Sequence, residues 1–179
     1  TPEGNFIPKV TMGMAVLYSP FFFTGHVLAH FKGEKKDGYS LPYRMCIHLG
    51  SLLIALTGLW FLRKSLLRFY SETIVFICLV SLLFGTNFFY YSYGYGAMPH
   101  AYLFLLFSVF IHFTFKWIDE KKLKYLTTLS IIAGYAVLIR PTEIFVLLFP
   151  ILAGTNSRVT IWERIKLFGS YRYNLIVPF

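Results

Sequence analysis

Three apolar runs, each close to the roughly 20 residues a helix needs to cross a bilayer, constrain this chain more than anything else: Met45 to Leu62, Thr73 to Tyr91, and Ala101 to Phe115 with its flanks. Backbone groups placed in hydrocarbon must find partners within their own segment, so runs of this kind are predicted as helices. Composition agrees: 56% of residues are hydrophobic, 20% aromatic and only 14% charged, against about 25% charged in an ordinary soluble domain. A water-exposed surface could not be covered with so little charge, which excludes disorder and a charged nucleic-acid face. Cys46 and Cys78 lie in apolar runs without CxxC spacing, so neither a disulfide framework nor a zinc site is signalled.

A fourth apolar region runs from Tyr125 to Ala153 but is broken by Arg140 and Pro141. As one helix it would be about 44 Å long, beyond the roughly 30 Å hydrocarbon core, and the proline would break it. Two short helices, 125–139 and 143–153, joined at Arg140-Pro141 are predicted instead. A fifth region, Val10 to His30, contains Gly13, Pro20, Gly25 and two histidines, and reads as a helix lying on the membrane surface or re-entering it. The expected fold is all-α: a polytopic transmembrane helix bundle with spans at 45–62, 73–91 and 100–117 and a surface-lying outer helix near the N-terminus. The chain opens on Thr1 without a signal peptide and closes on the apolar stretch Tyr171 to Phe179, so it is expected to be an internal fragment of a longer membrane protein, a single partial domain.

The net charge of +9 orients the set. Connectors 63–72, 116–124 and 155–168 hold Arg63, Lys64, Arg68, Lys116, Lys121, Lys122, Lys124, Arg158, Arg164 and Lys166, ten of the seventeen basic residues. The positive-inside rule places them in the cytoplasm. The region between the last two must then leave and return, which puts Arg140 near the outer end of a hairpin. By parity, segment 31–44 and the aromatic loop Ser92 to His100 face outward.

The outward face gathers the unusual side chains. A guanidinium beside an apolar helix end is costly unless it is paired or faces a wet cavity. Arg140 is therefore either a snorkelling arginine or one half of an ion pair with Glu143, or else a fork of donors for a phosphate at the bilayer edge. Tyr90 to Tyr95 read either as half of an interfacial aromatic belt or, broken by Gly94, Gly96 and Pro99, as a surface that packs on sugar rings. His100 is a structural histidine or a ligand-binding one. Asp37, in Lys36-Asp37-Gly38-Tyr39-Ser40, reads first as the cap of an Asp-Gly turn. His26 and His30 are spaced i, i+4, yet no third ligand or HExxH glutamate accompanies them, and no metal site is expected. No GxGxxG, P-loop or GxSxG occurs, so nucleotide and acyl-serine chemistry have no support.

The order of several short motifs carries a resemblance: Lys9-Val10-Thr11-Met12-Gly13, Ser19-Pro20-Phe21-Phe22, Asp37-Gly38-Tyr39-Ser40-Leu41-Pro42-Tyr43, Gly85-Thr86-Asn87-Phe88-Phe89-Tyr90-Tyr91, Met98-Pro99-His100-Ala101-Tyr102 and Leu138-Ile139-Arg140-Pro141-Thr142. Over residues 9 to 155 the chain resembles the middle of a bacterial GT-C type integral membrane glycosyltransferase, similar to the aminoarabinose transferase and protein O-mannosyltransferase group. The resemblance implies a multi-pass protein of the bacterial cytoplasmic membrane that moves a sugar from a polyprenyl-phosphate carrier to an acceptor at the outer face. No cofactor, metal or nucleic acid is implied; the partners are the lipid-linked donor, an acceptor the sequence does not name, and membrane lipid. Lys9 and Arg140 carry over as candidate phosphate contacts, with Asp37, Tyr39, Asn87, Tyr91, His100, Tyr102 and Glu143 as further candidate substrate-binding residues. The family's catalytic acid lies in an outer loop upstream of these motifs, and Asp37 does not match its position, so no catalytic residue is assigned. A transporter or flippase for a lipid-linked sugar is the alternative, since it also needs broken helices and basic residues beside its substrate.

Overall fold

The computed structural model describes residues 12–154 and 161–167. Every regular element among them is helical: α1 (Met12–Phe31), α2 (Leu41–Leu66), α3 (Glu72–Gly85), α4 (Phe88–Tyr93), α5 (Pro99–Glu120), α6 (Leu123–Ile139), a 3-10 helix (Pro141–Leu148), α7 (Phe149–Leu152) and α8 (161–167). Three of them, α1, α2 and α5, are long and apolar enough to cross a membrane. The exposed stripe Leu41, Met45, Leu49, Leu53, Leu56 and Trp60 along α2 suits contact with lipid rather than water. These are the helices of a membrane protein.

Helices α2 and α5 run parallel at the centre of the bundle. Gly96 lies against His48, Gly58 against Phe104 and Leu105, the Phe61 ring against His112, and Arg68 forms a bidentate pair with Asp119 at 2.5 and 2.6 Å. The missing side chain at Gly58 is what lets the two backbones approach: a Cβ there would stand 3.1 Å from Leu105 Cα. Helix α6 returns antiparallel along α5, with Phe110, Trp117, Tyr125, Leu129 and Ala133 forming one core cluster. A second cluster, Met14, Tyr102, Leu103, Ala136 and Ile139, joins the start of α1 to the start of α5 and the end of α6.

The turn between α5 and α6 is short because Lys121 adopts a left-handed conformation (φ 49°) and donates its N–H to Trp117 O at 2.8 Å. Ion pairs gather at this end: Arg63 with Glu72, Arg68 with Asp119, and Lys122 with Glu120 at 2.5 Å. The guanidinium of Arg164 in α8 donates to Pro150 O at 3.2 Å and to Ala153 O, satisfying carbonyls that the end of α7 leaves open. Basic connectors therefore share one end of the bundle.

Several boundaries differ from those the sequence predicts. The run 73–91 is not one span. It stops at Gly85, Thr86 is extended (φ −124°, ψ 173°), and a separate short helix starts at Phe88. Thr86 makes the break: its hydroxyl donates to Leu82 O at 2.6 Å and accepts the Phe88 N–H at 3.1 Å, giving both helix ends a partner. At 14 residues α3 is about 21 Å long, short of the hydrocarbon thickness, and only Val75 on it is buried. After α6 the chain forms 3-10 turns from Pro141 to Leu148 before the four residues of α7, where one α-helix over 143–153 is expected from sequence.

The segment expected as an outer surface or re-entrant helix is a continuous helix from Met12 to Phe31 that packs antiparallel on the first half of α2. Gly25 lies against Tyr43 and Phe21 against Gly50. Pro20 within it has no N–H to give Val16 O, and the Ser19 hydroxyl supplies that bond at 2.8 Å.

Candidate functional site

A cleft of about 560 Å³ opens at the end of the bundle opposite the basic connectors. Two chain breaks build it. On one side Thr86, Asn87, Phe88 and Tyr91 come from the α3–α4 break; on the other Arg140 and Glu143 follow the end of α6; His100, Leu103, Phe104 and Phe107 line the face of α5 between them. Each break has a local cause. Pro141 biases the residue before it away from helix, so Arg140 is extended (φ −143°, ψ 121°) and α6 ends there, with Arg140 N–H still bonded to Ala136 O at 2.9 Å. Pro99 occupies the first turn of α5, where its missing N–H costs nothing, and sets His100 at the mouth of the cleft.

The cleft is amphiphilic. Its floor is Phe88, Leu103, Phe104 and Phe107, and its rim carries Asn87, His100, Arg140 and Glu143. The ring of half-buried His100 lies over Tyr91, with centroids 4.3 Å apart and planes at 38°. Arg140 and Glu143 share this rim and do not pair with each other; among the described residues the ion pairs lie at the other end of the bundle. The link between them is through backbone, Glu143 N–H donating to Arg140 O at 3.0 Å. An exposed guanidinium and a carboxylate, neither with an ion-pair partner among the described residues, thus stand together where a ligand could meet them.

Asn87, Tyr91, His100, Arg140 and Glu143 therefore meet in one place. Tyr102 does not join them. A helix turns about 100° per residue, so a position two beyond His100 faces the other way; Tyr102 is 1% exposed in the cluster with Met14 and Ile139, and it is a packing residue. Asp37 and Tyr39 lie in a separate cleft of about 530 Å³ between α1, the loop that follows it, and α2. There Asp37 Oδ1 accepts the N–H groups of Tyr39 at 2.8 Å and Ser40 at 2.9 Å, and these bonds hold its carboxyl below the usual carboxylate range. Lys9 lies outside the described residues.

Sequence reasoning overlooks Thr86 and the apolar floor. Positions 100, 103, 104 and 107 fall on one helical face, and that periodicity, started from His100, is the signal that finds the floor. No group of three or more His, Cys, Asp or Glu side chains able to hold a metal ion occurs among the described residues. Comparison with protein-family models, curated proteins and solved structures finds no match to the chain.

Proposed function

We propose that this chain is part of a GT-C type membrane glycosyltransferase that takes a sugar from a polyprenyl-phosphate carrier at the outer face of the bacterial cytoplasmic membrane. The observation that carries the reading is the Arg140 guanidinium, without an ion-pair partner among the described residues, at the rim of a cleft whose floor is apolar. A polyprenyl phosphate has the same division: an isoprenoid tail that stays with apolar groups and a charged headgroup that must stay near water. The planar fork of Arg140 matches two phosphate oxygens, while Asn87, His100 and Glu143 offer donors and acceptors to the hydroxyls of the attached sugar.

In the transfer step an acceptor hydroxyl oxygen forms a bond to the anomeric carbon as the bond from that carbon to the phosphate oxygen breaks. The electron pair stays on the phosphate, and the hydroxyl proton goes to a carboxylate base, for which the resemblance points to a loop upstream of the motifs. Negative charge grows on the leaving phosphate, so a cation fixed beside it stabilises the transition state more than the ground state.

The test is Arg140→Ala in the full-length protein, assayed in native membranes with a radiolabelled polyprenyl-phosphate sugar. Loss of two charge-assisted hydrogen bonds at roughly 1.5 kcal/mol or more each should slow transfer by about 100-fold or more, while thermal unfolding in detergent stays unchanged. Transfer at the parent rate would remove Arg140 from the mechanism. The interrupted pair α3–α4 is also what a transporter of lipid-linked sugars would use. That reading gains if the parent protein moves the labelled carrier between leaflets without cleaving it.

A further inference from the structure

The second cleft holds the chemistry that the first does not use. Its lining includes three aromatic residues, Tyr18 and Phe22 from α1 and Tyr39 from the loop, together with Asp37, Arg44 and His48. We propose that this cleft binds a saccharide. The inference concerns a site other than that of Arg140 and stands or falls without the transferase reading.

Three features support it. First, the loop is held in place before any ligand arrives. Asp37 Oδ1 accepts two backbone N–H groups, the Ser40 hydroxyl donates to Lys35 O at 2.8 Å, and Gly38 takes a left-handed conformation (φ 81°) that lays it against the ring of Phe22. Phe22 is in turn packed on Tyr43, with centroids 5.0 Å apart. A site ordered in advance loses little entropy on binding. Second, the polar groups at the cleft are unspent. Asp37 Oδ2 and the Arg44 guanidinium have no hydrogen-bond or ion-pair partner among the described residues. Third, Tyr39 lines this cleft with 83% of its surface exposed, an aromatic face open to a ligand.

Ligand class follows by elimination among these groups. A lipid tail would desolvate Asp37 and Arg44 without replacing their water. A phosphate or other small anion would face the Asp37 carboxylate as well as Arg44, and would leave the rings unused. A pyranose satisfies all of them: its C–H faces stack on the rings, and its hydroxyls donate to the carboxylate and accept from the guanidinium.

Residues 94–97 lie beside the second cleft, which Ala97 lines. His48 fixes them to α2, with Nδ1 2.6 Å from Arg44 O and Nε2 3.1 Å from Gly94 O. Gly96 lets them sit close, since a Cβ there would be 2.8 Å from His48 Cα. Both ring nitrogens of His48 face backbone oxygens, and its ring also lines the cleft.

The test uses the full-length protein in lipid nanodiscs, with fluorescently labelled maltohexaose and chitohexaose as probes and inorganic phosphate as competitor. At least one oligosaccharide should bind. Tyr39→Ala and Arg44→Gln should each weaken it by about tenfold or more, Tyr39→Phe should hold it within about twofold because the ring remains, and Arg140→Ala should leave it unchanged. Binding of neither probe overturns the proposal. So does competition by phosphate, or loss of binding in Arg140→Ala as large as in Tyr39→Ala, which would merge the two clefts into one site.

Discussion

Two glycines within helices should respond in opposite directions to the same substitution. Replacing a mid-helix glycine by alanine favours the helix by up to about 1 kcal/mol when the new methyl group meets nothing. Gly134 in α6 is such a position, with no atom within 4 Å of where its Cβ would be. Gly25 in α1 is the reverse. Its Cβ would stand 2.7 Å from Tyr43 Cα and 3.2 Å from Pro42 O, and ordinary contact begins at 3.4 Å. Those atoms are backbone of α2, so no side chain can rotate away and the two helices must part. Parting them weakens the contact between His26 Nδ1 and the Tyr43 hydroxyl at 2.6 Å and the packing of Phe22 on Tyr43.

Overpacking of this kind costs about 1–3 kcal/mol, and a lost hydrogen bond about 1 kcal/mol more. After the gain in helix propensity, Gly25→Ala should be destabilised by about 1–3 kcal/mol, and Gly134→Ala should be neutral or slightly more stable. For a chain of this size that separates the two variants by about 2–12 °C in unfolding midpoint. Thermal unfolding of the purified protein in a single detergent, followed by circular dichroism, reads the difference. Equal midpoints for the two variants, or a Gly25→Ala protein as stable as the parent, would refute the close seam between α1 and α2 and with it the wall of the second cleft.

The turn at Asp37 gives a pH test. Its carboxyl is held below the ordinary value by the N–H groups of Tyr39 and Ser40. The turn's extra stability is therefore present above the unfolded pKa of about 3.9 and is lost as pH falls through the lower, folded value. Hydrogen-exchange protection of the Tyr39 and Ser40 amides, corrected for intrinsic rates, should persist below pH 3.9; loss of protection already near pH 5 contradicts the bonding. The orientation of the bundle is read by single cysteines at Tyr39 and Lys122, in protein with Cys46 and Cys78 changed to serine. An impermeant maleimide should label the two from opposite sides of sealed vesicles, and labelling from the same side would overturn the topology.

What the sequence makes legible is what long-range periodicity and charge determine. Twenty consecutive apolar residues can be little else than helix, and basic connectors at 63–72 and 116–124 do collect at one end, linked by Arg68 and Asp119. The break at Arg140-Pro141 is also readable, since proline acts on its immediate neighbour. The break at Thr86 is not. Threonine inside an apolar run is ordinary in a spanning helix, and only its pair of bonds, one to Leu82 O and one from Phe88 N, turns it into a terminus. Tyr102 shows the opposite failure. Placed two residues from His100 in one motif, it looks like part of the same surface, but helical geometry sends it into the core. Asp37 and Tyr39 separate from Arg140 only in space, because the loop after α1 folds them against α1 and α2.

The first cleft exists because two interruptions fall side by side. Had α3 continued through Thr86 and Asn87, the helix would occupy the space between α5 and the chain after α6; had α6 continued through Arg140, the guanidinium would sit on a helix face beside lipid with its fork buried or snorkelling. Neither break makes a site alone, because the α3–α4 break supplies no charge and Arg140 supplies no enclosure. Arg140 is exposed at the end of an apolar helix and, although Glu143 stands three residues on, the two form no ion pair. They instead share a backbone bond and keep their side chains apart. That choice leaves each charge to be satisfied from the cleft, which is the arrangement expected of a binding site and the opposite of the one expected of a structural salt bridge.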